Sequence, residues 1–252
     1  MLLVEEVSFS YGGKNAVDGV SFEVDGGGLL FILGENGSGK STLLKLIARI
    51  MQPQSGRILI EGRNYTHVSR RELSKIVVFG GAGFHVDFPI SVFEYASLGR
   101  FPHTGFFGNL SAEDGEAVMR ALQALGIAHL AGRSVLELSD GEKQKVAIAK
   151  MISQDGDLYL FDEPAAHLDL KSKLEVFELI SSLADQGKAV VVTSHDVTLA
   201  GRYARDLLVL KEGKVFARGS VGDVLTPGTI KGAFGVDVRV SLDEAGRPIV
   251  IL

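Results

Sequence analysis

Leu29-Leu30-Phe31-Ile32-Leu33-Gly34-Glu35-Asn36-Gly37-Ser38-Gly39-Lys40-Ser41-Thr42-Leu43-Leu44 joins five apolar residues, a glycine-rich turn and the start of a helical pattern. The apolar run has the length of a strand buried on both faces, and Leu43–Ala48 continues at helical spacing. Between them, Gly34–Ser41 satisfies G-x-x-x-x-G-K-[ST]. The glycines let backbone N–H groups turn inward around phosphate oxygens, at a helix start whose dipole favours anions. Lys40 would reach the β- and γ-phosphates, and the Ser41 hydroxyl would ligate Mg²⁺. Candidate nucleotide contacts are Gly34, Glu35, Asn36, Gly37, Ser38, Gly39, Lys40, Ser41 and Thr42. The competing reading is a plain turn before an ordinary helix. A strand on one side and a helix on the other is the setting that phosphate binding requires.

Outward from this unit, residues 2–9 and 19–24 read as strands joined by the turn-rich Tyr11–Asn15. Arg57–Ile60 and Ile76–Phe79 are further strand candidates. From Ser91 to about Gln154 the pattern is mostly helical, clearest at Ala117–Leu125 and Glu142–Ile152. Strands return at Leu158–Phe161, Ala189–Thr193 and Leu207–Leu210, with a helix at Lys171–Ala184. Residues 214–252 read as short strands and turns. The order predicts an α/β fold: a mostly parallel sheet of the phosphate-loop type, N-terminal antiparallel strands and an inserted helical subdomain. One domain over 1–252, with the insert at approximately 88–155, is the expected organisation.

Composition narrows the function classes. Of 252 residues 46% are hydrophobic, enough for a packed core, and the formal net charge of −5 argues against nucleic acid as the main partner. Absence of cysteine removes disulfides and thiolate metal sites. No apolar run approaches the roughly 18–20 residues of a membrane helix, and Met1–Glu6 lacks the basic start and apolar segment of a signal peptide. The expectation is a cytoplasmic protein with no direct membrane insertion, reaching a membrane only through a partner.

Two further motifs bear on chemistry. Leu158-Tyr159-Leu160-Phe161-Asp162-Glu163 is an apolar strand ending in two carboxylates, and ligands of open α/β sheets bind beyond the carboxyl ends of strands. Asp162 is then a candidate for the Mg²⁺ shell and Glu163 for polarising an attacking water. Taken alone, such a pair also suits a helix cap or a solvated turn. Leu138-Ser139-Asp140-Gly141-Glu142 opens a helical stretch and reads locally as a capping box, Ser139 with Glu142. A cap and an anion site use the same free N–H groups, so the two readings are compatible.

With these motifs in this order, the chain resembles the ABC ATPase family over essentially its whole length. Leu138–Glu142 looks like the LSGGQ signature. The resemblance implies that Ser139, Gly141 and Glu142 meet the nucleotide held by a second copy. Tyr11 looks like the aromatic that stacks on adenine, and His167-Leu168-Asp169 like the loop linking the two sites. His195, in Thr193-Ser194-His195-Asp196, looks like the switch histidine at the γ-phosphate, giving Glu163, His195 and Lys40 as catalytic residues. The implied activity is hydrolysis of ATP with Mg²⁺ in an ATP-bound homodimer, coupled to membrane permease subunits and, indirectly, a substrate-binding protein. The implied location is the cytoplasmic face of the cell membrane.

A narrower resemblance, to ATPases energising import of iron–siderophores, haem or cobalamin, rests on Phe88–Val92, Leu98–Gly105 and Phe234–Val238. Alternatives are a soluble ABC ATPase of the iron–sulfur assembly type and an efflux ATPase. Two departures stand out. Position 140 is Asp where the family usually has Gly. The glutamine usually found after the strand ending at Phe79 is missing: Gly80 to Ala82 occupy its place, with His85 and Asp87 the nearest polar residues.

Overall fold

The computed structural model describes residues 1–80, 86–104, 109–166, 168–244 and 246–251. Two strands open the chain as an antiparallel hairpin, β1 (Leu2–Tyr11) and β2 (Lys14–Val24). They turn at Gly12 and Gly13, whose φ values of 55° and 88° are those of a type I′ turn, open to glycine without a steric cost. β3 (Leu29–Leu33) follows, every residue buried, and leads through the glycine turn into α1 (Lys40–Ile47). β4 (Ser55–Ile60) and β5 (Arg63–Asn64) extend the hairpin into a four-stranded sheet of order β2-β1-β4-β5. α2 (Arg70–Ile76) then feeds β6 (Val77–Gly80).

Between β6 and the next strand lies the helical insert: α3 (Val92–Ser97), α4 (Ala112–Ala124) and α5 (Asp140–Gln154). The chain returns with β7 (Leu158–Asp162), α6 (Leu170–Asp185), β8 (Ala189–Ser194), α7 (Val197–Tyr203) and β9 (Asp206–Lys211). It continues with β10 (Lys214–Ser220), α8 (Val221–Val224), α9 (Pro227–Phe234) and the ribbon β11 (Arg239–Leu242) with β12 (Pro248–Ile251). The main sheet has the order β10-β9-β3-β8-β7-β6, parallel except for β10 against β9.

The alternation of side chains along a strand divides the core in two. Leu29, Phe31 and Leu33 of β3 join one cluster with Tyr159, Phe161, Val190 and Val192, beneath α6 and the helical insert. Leu30 and Ile32 join the other with Leu160 and Val191, against α1 and the N-terminal sheet. Both faces of the sheet are therefore covered, which is why its strands read as continuous apolar runs. On the first face Phe31 stacks on Phe177 of α6, centroids 5.6 Å apart.

The mostly parallel sheet, the antiparallel N-terminal strands and the helical insert are as the sequence predicts. The tail is so in part: β10, β11 and β12 are the short strands expected of residues 214–252, while α8 and α9 stand where turns were expected. Thr226 caps α9 and Pro227 opens it, a start signal followed by only eight residues, too few for a clear periodicity. α2 and α7 were also unforeseen, although Ser69 with Glu72 is a complete capping box and Asp196 caps α7.

Candidate active site

Among the nine α-helices of the described residues, eight begin at a Ser, Thr or Asp whose side chain accepts a hydrogen bond from the first turn. α1 is the exception. Its N-cap is Gly39, left-handed at φ 106°, with no side-chain cap and no acidic residue in the first turn. The first N–H groups of a helix have no intrahelical acceptor, so this end offers donors and positive potential together. Close packing enforces glycine on either side of the loop. A Cβ on Gly34 would collide with the Leu210 carbonyl and the Ser38 hydroxyl, and one on Gly39 with the Ala16 carbonyl. The Ser38 hydroxyl is buried and finds no hydrogen-bond partner among the described residues.

Lys40 is almost fully buried in this loop, its Nζ donating to the carbonyls of Gly34 at 2.6 Å and Glu35 at 3.0 Å. Burial lowers its pKa, and the nearby charges of Glu163 and Asp162 oppose that shift. The ammonium is thus held by dipoles facing an open cleft of about 340 Å³. Tyr11, Asn36, Gly37, Gly39, Lys40, Ser41, Thr42 and Glu163 line this cleft, together with Lys14, Asn15 and Ala16. Tyr11 stands half exposed at its rim, edge-on to Phe9 with centroids 4.9 Å apart.

The parallel register brings the other groups to the same end of the sheet. Leu33 pairs with Ser194 and Asp162 with Thr193, so the chain segments leaving β3, β7 and β8 emerge side by side. The Ser41 hydroxyl donates to Asp162 Oδ1 at 3.0 Å. Thr193 donates to the same oxygen at 2.6 Å, and the Glu163 N–H donates to Thr193 Oγ1 at 3.1 Å. Glu163 takes the left-handed φ of 50°, which turns the chain sharply after the strand. Its Oε2 lies 3.4 Å from Nδ1 of His195. A second cleft, of about 310 Å³, adjoins on the far side of Glu163 and includes Lys173, Phe177 and Asp196.

Ser139, Gly141 and Glu142 are not among the residues lining either cleft. They form the N-terminus of α5, where Ser139 Oγ donates to Glu142 Oε2 at 2.8 Å and accepts from the Glu142 N–H at 3.3 Å. The Ser139 hydroxyl first, and then the Ser139 N–H donating to Oε2 at 2.8 Å, lower the Glu142 pKa. The neighbouring Asp140 carboxylate is 87% exposed and lies 3.6 Å from Lys143 Nζ. His167, Gly81, Ala82 and His85 lie outside the described residues. Gly80 is the last residue of β6, and a Cβ there would run into Met151 of α5, so this position has no room for the missing glutamine as the chain now packs.

Two polar residues of the region were not singled out from the sequence. Thr193 looked like one more residue of an apolar strand; only its register opposite Asp162 reveals its contacts. Gln144, on α5, donates to the carbonyl of Pro164 at 2.8 Å and so ties the helical insert to the turn after Glu163. Its position one helical turn beyond Asp140 gave no signal of that partner.

Comparison with known proteins agrees with this geometry. The family model described as ABC transporter matches residues 17–166. The ferric enterobactin transport ATP-binding protein FepC of Escherichia coli is 34% identical over 98% of this chain and 92% of its own. The hemin import ATP-binding protein HmuV of Pseudomonas fluorescens is 36% identical over 100% of this chain and 99% of its own. A solved metal-chelate type ABC transporter in an inward-facing conformation superposes with a TM-score of 0.86 at 29% identity, covering 99% of this chain and 96% of that one. An uncapped helix behind a glycine loop, two carboxylates at a strand end and a match spanning more than half of the sequence converge: the chain belongs to the ABC transporter family, as an ATP-binding subunit with ATPase activity.

Proposed function

We propose that this subunit energises an importer for chelated iron, haem or a cobalamin-type ligand, with two copies closing over MgATP against membrane permease subunits. The observation that carries the ATP site is the convergence of the uncapped α1, Ser41, Asp162, Glu163 and His195 at one end of the sheet. The import reading is supported by the importer relatives and the metal-chelate structural neighbour. Residues 1–252 act as one domain, with approximately 88–155 as the inserted subdomain that faces the permease. The described residues contain no helix long and apolar enough to cross a membrane, so anchoring falls to the partner. A substrate-binding protein delivers cargo to the permease and touches this chain only through it.

In this mechanism the backbone of Gly34–Thr42 and the Lys40 ammonium bind the phosphates, and Tyr11 stacks on adenine, a contact worth about 1–3 kcal/mol. The Ser41 hydroxyl and the Asp162 carboxylate are hard oxygen donors 3.0 Å apart beside the phosphate cradle. That set suits Mg²⁺, which favours one or two protein oxygens plus phosphate and water. When bound, the ion neutralises charge on the phosphate oxygens. Glu163 accepts a proton from the attacking water, and His195 positions the γ-phosphate end of the site. The exposed N-terminus of α5, with Ser139, Gly141 and Glu142, completes the site of the second copy. Its N–H groups at Asp140 and Gly141 have no intrahelical acceptor.

The test is purification of the native complex from membranes. Co-purification with multi-spanning subunits and a binding protein carrying an iron chelate, haem or cobalamin is the expected result. Recovery instead with a soluble iron–sulfur assembly complex overturns the import reading, as does cargo moving outward in reconstituted vesicles.

A further inference from the structure

Thr193 lies directly across from Asp162 in the β7–β8 register and is completely buried. Among the described residues its single hydroxyl proton has one acceptor at close range, Asp162 Oδ1 at 2.6 Å. An ionised carboxylate only accepts, so the proton is committed there, and a hydroxyl lone pair is left for the Glu163 N–H at 3.1 Å. Valence therefore fixes the direction of both bonds. A single side chain holds the rotamer of one acid and the backbone of the next.

We propose that Thr193 is a positioning residue for ATP hydrolysis, setting Asp162 and Glu163 in mutual geometry through its hydroxyl. The proposal rests on the roles given above to those two carboxylates. Two observations make the contact consequential. Glu163 adopts φ 50°, a conformation that costs a residue with a side chain about 1–3 kcal/mol and persists only where the surroundings impose it. The hydrogen bond from its N–H to Thr193 acts at that residue. Ser41 also holds Asp162 Oδ1, at 3.0 Å, but its hydroxyl is itself a proposed Mg²⁺ ligand and would be drawn from that contact when the ion is bound. Thr193, on an interior strand with no exposure, remains in place and keeps the carboxylate aimed.

The experiment compares the full-length wild type with Thr193→Val, which keeps the shape and loses the hydroxyl, and Thr193→Ser, which keeps the hydroxyl. ATP hydrolysis is measured against Mg²⁺ concentration, and binding of a fluorescent ATP analogue is measured in EDTA. For Thr193→Val, kcat should fall tenfold or more and the Mg²⁺ needed for half-maximal rate should rise at least threefold. Analogue binding in EDTA should stay within twofold, because the phosphate cradle is untouched. Thr193→Ser should lie within threefold of wild type throughout. Should Thr193→Val not fold, Thr193→Ala against Thr193→Ser makes the same comparison of hydroxyl lost and kept. A folded Thr193→Val or Thr193→Ala with unchanged kcat and Mg²⁺ dependence overturns the proposal, and so does equal loss in Thr193→Ser. A wild type that hydrolyses no ATP overturns the underlying reading as well, so the two failures are distinguishable.

Discussion

Nδ1 of His195 stands 3.4 Å from Oε2 of Glu163, although they are 32 positions apart in the chain. The contact follows from strand pairing: Glu163 directly follows β7, His195 directly follows β8, and these strands are neighbours. Glu163 is mostly shielded while His195 is 64% exposed, so the acid is fixed by the fold and the imidazole is free to respond to what enters the cleft.

Glu163→Gln keeps size and hydrogen bonding but removes the proton acceptor. Hydrolysis should fall roughly 10²–10⁴-fold, about 3–5 kcal/mol of barrier. ATP should still bind, and a closed dimer should accumulate on gel filtration with ATP. An active variant, or one that binds ATP without ever dimerising, contradicts the role given to Glu163 in a shared site.

Lys40→Ala removes the buried ammonium but spares the backbone cradle. Charge-assisted hydrogen bonds are worth about 1.5–3 kcal/mol, so ATP affinity should drop roughly 10- to 100-fold, and turnover with it. Isothermal titration with ATP measures the first effect. Unchanged affinity would remove Gly34–Ser41 as the nucleotide site.

Met151 of α5 fills the volume beside Gly80, with its Cε and Cγ 2.8 and 3.1 Å from where a Cβ would sit. Gly80→Gln should therefore destabilise the chain by about 1–3 kcal/mol through overpacking. Met151→Ala in the same chain should recover part of that loss, a coupling that a double-mutant cycle by urea denaturation reads directly. Additive effects would show that the two positions do not compete for space.

Asp140 presents an exposed carboxylate at the end of α5 proposed to meet the partner's phosphates. Asp140→Asn should lower the ATP concentration that drives dimerisation by about two- to fivefold, an effect shrinking in high salt. The same change should cost roughly 0.3–1 kcal/mol of monomer stability, because an acid suits a helix N-terminus. Opposite signs in the two measurements are the signature; matching signs would contradict the assignment.

The Asp114 carboxyl is held down to about 2, chiefly by the Ser111 backbone N–H and then by Arg100, 2.8 Å away and largely buried. Arg100 also donates to the Ser153 carbonyl, so the pair ties α4 to the end of α5. A carboxyl lowered on folding stabilises above its ordinary value of 3.8 and loses that contribution as the pH falls toward 2. Asp114→Asn should thus destabilise by on the order of 1–3 kcal/mol at neutral pH, and the gap from wild type should close at acid pH in thermal melts.

Local sequence carried the strands of the main sheet because two covered faces demand unbroken apolar runs, as at Leu29–Leu33 and Leu158–Phe161. It carried the phosphate loop because glycine is required where a Cβ has no space, at Gly34 and Gly39. Short helices such as α7 and α9 escaped because one or two turns offer too few residues for periodicity to emerge. Thr193 and Met151 escaped for a different reason. Their importance lies in residues 31 and 71 positions away, Asp162 and Gly80, and only the register of β7 and the packing of α5 join them.

α1 alone among the described α-helices starts without a side chain to close it, over a buried lysine and an unpartnered Ser38 hydroxyl. In the proposed site a bound polyphosphate would supply what eight other helices carry in their own sequence, making nucleotide a structural element of this protein as well as its fuel. Ligand-linked stability follows: at a hundred times its dissociation constant, ATP adds about 2.7 kcal/mol to the folded state. The melting temperature, protease resistance and yield of this chain are accordingly functions of nucleotide concentration.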